Sequence, residues 1–313
     1  MESQGMPREQ LGICAEGNLH SIYLMLNANE GVESQVRPCV ANIAQYLYEL
    51  ADKYADSAFN GFIAIGANYW NSLYGDIRPT QLRPFPAIHE GNRAAPALEY
   101  DLFVHIRSDR FDILHLVANE ICQMFEGLVE LVEEERGFRF MDSRDLTGFV
   151  DGTENPKGRQ RQEVALVGEN EPHFRGGSYV HVQKFVHNLS KWNRLPQKKQ
   201  EDIIGRTKLD NVEYASEDKP LFSHIKRVNL KDEQGKSREI LRQSMPFGSM
   251  KEQGLMFISL CENAVNFEKM LESMMLGDKD GHHDHLMHFT QAITGSAFFA
   301  PSLDFMIAQA SGS

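Results

Sequence analysis

The sequence predicts an α+β fold in which a split-βαβ pattern occurs twice, each copy an antiparallel sheet with helices on one face. Three observations predict it. The first half of the chain reads strand, helix, strand, loop, strand, helix, strand. The second half echoes that order. The length, 313 residues, allows one large domain or two of ordinary size and buries roughly three quarters of the unfolded surface.

Residues 20–26 alternate and are rich in apolar side chains, as a half-buried strand requires. Residues 36–54 repeat with helical period through Val40, Ile43, Leu47, Leu50 and Ala51. Residues 59–66, FNGFIAIG, read as an apolar strand. Pro79, Pro84, Pro86 and Pro96 make 78–97 a long loop. Residues 101–106 read as strand and 111–132 as a long amphipathic helix ending in the charge run EEER at 133–136, a solvated helix end. A further strand is expected at 137–141. In the second half, 178–187 alternate as a strand, 188–204 look helical with an interruption near Pro196, 254–261 form an apolar strand and 264–275 a helix. Two ferredoxin-like halves are expected, 1–142 and 143–313, a duplication inferred from element order and not from sequence identity.

Net charge is −12, from 44 acidic and 32 basic residues, which argues against nucleic acid or an anionic membrane as the main partner. Cys14, Cys39, Cys122 and Cys261 are widely spaced and form no CxxC pair. They read as reduced thiols of a cytosolic protein, not as iron–sulfur or zinc-finger ligands. Residues 1–12 contain no apolar core of signal-peptide type, residues 308–313 carry no readable anchor, and no apolar run is long enough to span a membrane. The expected location is the cytoplasm.

The candidate chemistry lies in the second half. Gly148-Phe149-Val150-Asp151-Gly152-Thr153-Glu154-Asn155-Pro156 sets one acidic side chain between glycines in a turn-rich loop. His224 follows a charged turn and begins a short strand-like piece, at a loop edge from which it can point into a cavity. Arg242, in Leu241-Arg242-Gln243-Ser244-Met245-Pro246-Phe247-Gly248, has mostly apolar neighbours, which suggests burial. Each has an ordinary explanation by itself: Asp-Gly is common in turns, a lone histidine is usually structural, and a lone arginine is usually solvated. Together, an acid, a histidine and an arginine are the parts needed to ligate haem iron and split a peroxide on it. His282, His283, His285 and His288 look like a metal site but have no HExxH motif or cysteine partner. They read as a solvated or supporting cluster. Trp70 and Trp192 read as packing residues.

In this order and context the motifs resemble those of the dye-decolourising peroxidases, a haem peroxidase family, over most of the chain. The resemblance implies the two-half fold with haem b in the C-terminal half. It makes His224 the proximal ligand of the haem iron and Asp284 the acceptor of its other ring proton, which gives the imidazole anionic character. It makes Asp151 the carboxylate that moves a proton between peroxide oxygens, in a loop where Gly148 and Gly152 let the backbone approach the porphyrin and Thr153 and Glu154 complete the motif. Arg242 would stabilise charge as the O–O bond breaks or hold a propionate. Ser244 stands where some relatives carry Asn, and its hydroxyl would position water or peroxide. Arg206 would lie near the haem edge. Leu255 and Phe257 would face the pocket, with Met256 and Ile258 turned away. The implied reaction reduces hydrogen peroxide and oxidises dyes or phenolic, aromatic reductants in one-electron steps, in a homo-oligomer of dimer size or larger, with neither nucleic acid nor membrane as partner. Alternatives are release of iron from haem, as in deferrochelatases, or a non-catalytic haem carrier or sensor. With Asp151 titrating near its usual value of about 4, dye oxidation is expected to be fastest in acid. Arg242 is expected to outweigh Asp151 in peroxide cleavage.

Overall fold

The computed structural model describes residues 7–311. The expectations about a signal segment or an anchor therefore fall partly on residues outside those described. Strand β1 (His20–Ala28) leads into helix α1 (Glu33–Lys53), then β2 (Asn60–Gly66), the proline-rich loop, β3 (Leu102–Ser108), α2 (Phe111–Met124) and β4 (Val129–Phe138). Then follow β5 (Ser178–His187), the short helices α3 (Leu189–Trp192), α4 (Gln197–Ile204) and α5 (His224–Val228), β6 (Leu241–Arg242), β7 (Met245–Gly248), β8 (Gln253–Cys261), α6 (Ala264–Met275), β9 (Ser296–Ala300) and α7 (Leu303–Ser311).

In the first half the strands lie in the order β2-β3-β1-β4, and in the second β9-β5-β8-β7. All these neighbours pair antiparallel. Two short strands flank the second array, β6 on β8 and Thr290–Ala292 on β5, and the two four-stranded arrays join at both edges. Phe298 and Phe299 of β9 pair with Gly66 and Ile65 of β2, and Phe247 of β7 pairs with Gly137 of β4. The result is a closed ring of eight strands. Side chains alternate across a strand, so Tyr23, Met25, Phe62, Phe103, Val180, Val182, Met256, Ile258 and Phe298 fill the ring. Ile22, Leu24, Ile63, Val104 and Ile106 turn outward against Val40, Ile43 and Leu47 of α1 and Leu114, Val117 and Ile121 of α2. The second half has no counterpart to the 21-residue α1. Residues 188–240 take its place with short helices and loops.

Two expectations are corrected. The helix predicted over 111–132 stops at Met124, because Gly127 adopts φ +77°, a left-handed conformation that ends a helix. The apolar residues beyond it pair with β1 (Leu131 with Leu26, Val129 with Ala28), so strand begins well before residue 137. The run EEER is thus mid-strand. Glu133 and Glu135 alternate onto one face, each 2.9 Å from Lys184 Nζ. Trp70 and Trp192 are fully buried, as packing residues are. Among the described residues no helix is long and apolar enough to cross a membrane, and all four cysteines are free thiols.

Candidate active site

The outer face of β5 and β8 is covered by α6 where Phe267 packs on His181 and Phe257, but no second long helix closes the rest of it as α1 does in the first half. This face forms one wall of a cavity of about 440 Å3 whose other walls are α5, α6 and the loop around Asp151. Period-two geometry puts Gln183, Phe185 and His187 of β5, and Leu255 and Phe257 of β8, on this wall. Met256 and Ile258 face the opposite way, into the ring. Met270, Leu271 and Met274 of α6 close the apolar side.

His224 opens α5 and faces the cavity. The expected strand-like piece is a helical turn, with Ser223 extended before it (φ −70°, ψ 143°). Nδ1 of His224 lies 2.6 Å from Oδ2 of Asp284, which is fully buried. A carboxylate accepts hydrogen bonds, so in the neutral imidazole this contact favours the tautomer with the proton on Nδ1 and the lone pair on Nε2. Asp284 is itself fixed, its Oδ1 accepting the Leu286 N–H at 2.9 Å. It meets the cavity only through His224.

Asp151, Gly152, Thr153 and Glu154 all line the cavity. Gly152 has φ +77°, which allows the sharp turn directly after Asp151. Gly148 does not reach the wall: a side chain there would meet Lys208 Cε at 2.6 Å, so its role is to let Lys208 pass. Thr153 Oγ1 accepts from Asn211 Nδ2 at 2.8 Å. Glu154 binds Arg206, Oε1 to Nη2 at 2.9 Å, and buried Arg206 also reaches Glu213 at 3.3 Å. Arg206 therefore sits on the wall as one member of an acidic clamp.

Arg242 faces the same cavity, and its Nε is buried with no partner among the described residues. Its backbone is held on both sides by Asn155, which accepts its N–H at 2.9 Å and donates to its carbonyl at 2.7 Å. Burial pushes the Asp151 carboxyl above the ordinary carboxylate range, with the Arg242 charge only partly opposing it. The expectation of an ordinary value near 4 is thus corrected. The Ser244 Oγ accepts the Ile258 N–H at 3.3 Å, which leaves its hydroxyl proton to donate, and Ser244 lies two positions along the chain from the cavity-wall residue Arg242.

The sequence reading missed two features. One is the Asn155 clamp. The other is a partly buried pair on the cavity wall, His187 Nε2 to Asp145 Oδ1 at 3.0 Å. Thr290 Oγ1 is 2.7 Å from His187 Nδ1, and the Thr147 hydroxyl donates to Asp145 at 2.6 Å. Burial alone would raise the Asp145 carboxyl, but the bonds from His187 and Thr147 outweigh it and hold it below the ordinary range. The signals were present: Asp145-Leu146-Thr147 has Asx-turn spacing, and His187 continues the alternation of Gln183 and Phe185. On the outer side of the Asp284 segment, His285 and His288 are held below the usual histidine range by burial and by charge on their neighbours, His283 among them.

Family models described as Dyp-type peroxidase, N-terminal, and Dyp-type peroxidase, C-terminal, match residues 10–139 and 142–305. A dye-decolorizing peroxidase of Mycolicibacterium paratuberculosis is 37% identical over 91% of this chain and 81% of its own length. A solved structure of a candidate Dyp-type peroxidase from Shewanella oneidensis is 78% identical, covering 97% of this chain and 99% of that one, with a TM-score of 0.96. A variant of DypB from Rhodococcus jostii RHA1, solved in complex with heme, is 36% identical over 93% of this chain and 96% of that one, with a TM-score of 0.89. The paired matches run from the strand ring through the loop of Asp151 to the cavity walls, and the chain belongs to the Dyp-type peroxidase family.

Proposed function

We propose that this peroxidase holds haem b in the cavity between the β5–β8 face and α5, with His224 as its only protein ligand. The observation that carries the reading is His224 opening onto the cavity with Nδ1 locked to buried Asp284. That arrangement leaves Nε2 as a strong, oriented donor to iron. The rest of the wall fits the group. Its aliphatic and aromatic side chains suit a flat apolar macrocycle, and the Arg242 guanidinium on the wall suits a carboxylate or a bound peroxide. When bound, haem supplies the redox chemistry.

The residues of the chain supply orientation and protons. Asp151, raised by burial, takes a proton from one peroxide oxygen and returns it to the other. Arg242, whose backbone Asn155 holds in place, offers a fixed positive charge to the leaving oxygen. Dyes and phenolic compounds are the proposed electron donors.

The test is His224→Ala. The variant should lose most haem and the ferric Soret spectrum of the wild type; unchanged haem content and spectrum would sink the assignment. The same reading keeps two halves, 1–142 and 143–313, a cytoplasmic location supported by the four free thiols, and a homo-oligomer of dimer size or larger, which light scattering on the purified protein would measure.

A further inference from the structure

Outside the cavity, on the segment that carries Asp284, three imidazoles converge. His283 and His285 flank Asp284, and His288 ends the single 3₁₀ turn His285–His288. In a 3₁₀ turn, residues three apart eclipse, so His285 and His288 stand over one another. The three ring centroids form a nearly equilateral triangle, with sides of 5.1, 5.1 and 5.2 Å. Nε2 of His283 lies 3.2 Å from Nε2 of His288. One ring nitrogen from each of the three lies within 4.8 Å of the others.

Nitrogen ligands about 2.0–2.1 Å from a tetrahedral zinc ion stand roughly 3.4 Å apart. The triad is therefore within a small rotation of that spacing. Two rings are already fixed from outside. Nδ1 of His283 is 3.3 Å from the Gly281 carbonyl, which keeps the proton on Nδ1 and turns the Nε2 lone pair inward, as the outer contacts of metal-binding histidines do. His285 stacks on Phe222 with ring centroids 4.1 Å apart and 13° between planes. The donor set is all imidazole, which suits zinc or copper and not calcium or magnesium. His282 is not a member. It turns away to Asp278, Nδ1 to Oδ1 at 3.1 Å. Asp278 is in turn occupied by the backbone N–H groups of Asp280 and His282 and by Arg227.

We propose that His283, His285 and His288 form a binding site for one divalent transition-metal ion of the zinc–copper class, with a remaining coordination position open to water or an exogenous ligand. This goes beyond the reading of the cluster as solvated or supporting, and it does not rest on the haem assignment.

The test uses untagged, haem-loaded protein stripped of metal with EDTA and dialysed. Titration with Zn2+ should show one saturable site per chain. Cu2+ added at one equivalent should give an electron paramagnetic resonance signal split by nitrogen ligands and separate from that of ferric haem. His283→Ala and His288→Ala should each weaken Zn2+ binding by about tenfold or more and reduce the nitrogen splitting. Asp278→Asn and His282→Ala should leave both unchanged. Haem content and circular dichroism, measured on every variant, separate loss of the site from loss of the fold. Zn2+ binding that is absent, or that is the same in wild type and in correctly folded His283→Ala and His288→Ala, would overturn the proposal.

Discussion

Asp151 and Asp145 are two carboxylates on one cavity wall that the fold pushes in opposite directions. For Asp151 the folded value is raised above the unfolded one. Its ionised form is disfavoured, and stability present below the unfolded value is lost as pH rises through the folded one. Asp151→Asn should therefore raise the unfolding temperature of haem-free protein at pH 7, with the gain vanishing in acid where both forms are neutral. An equal or lower midpoint at pH 7 would refute this. Asp145 has the reverse sign. Its folded value is lowered, so its contribution is present above the unfolded value and is lost as pH falls through the folded one. Asp145→Asn should destabilise at neutral pH, by about 1–3 kcal/mol if His187 is left unpaired, read from denaturant midpoints. In the working enzyme, the limb of the dye-oxidation profile that depends on Asp151 should lie above the ordinary carboxylate value of about 4 and be absent from Asp151→Asn. Arg242→Leu, in haem-loaded protein, should slow peroxide consumption by roughly a hundred- to a thousandfold and by more than Asp151→Ala does. The opposite order in stopped-flow measurements would make proton transfer the limiting step.

At the scale of elements, the cavity is assembled from pieces that have little structure of their own. The loop of Asp151 and strand β6 are joined by the paired hydrogen bonds of Asn155, so Asn155→Ala should lower turnover by displacing Arg242 while haem content stays near that of the wild type. Loss of haem in parallel would assign Asn155 to cofactor retention instead. The strongly periodic elements were legible in the sequence. Helix α6 spans the residues expected of it, and β5 and β8 divide their side chains between ring and cavity by simple alternation. The misreadings share a physical origin. Single-residue backbone events are invisible to periodicity, as at Gly127, where the left-handed turn converts an apparent helix into strand β4. His224 and Asp284 were readable as residues, but their 2.6 Å contact joins segments sixty residues apart, and no local pattern encodes that.

At the scale of the molecule, closure of the ring leaves neither half self-sufficient. Each four-stranded sheet ends in edges satisfied only by the other half, and an exposed edge recruits other chains. A fragment of residues 143–313 should therefore aggregate or oligomerise non-specifically, and co-expression with residues 1–142 should rescue a single species on size exclusion. A monomeric fragment with a cooperative thermal transition would show the seams to be dispensable. The two halves also differ in what covers their outer faces: a long helix in one, the excursion 188–240 in the other. The shared frame thus permits two outcomes at symmetry-related places, a solid bed and a reaction chamber, and a single connection decides between them.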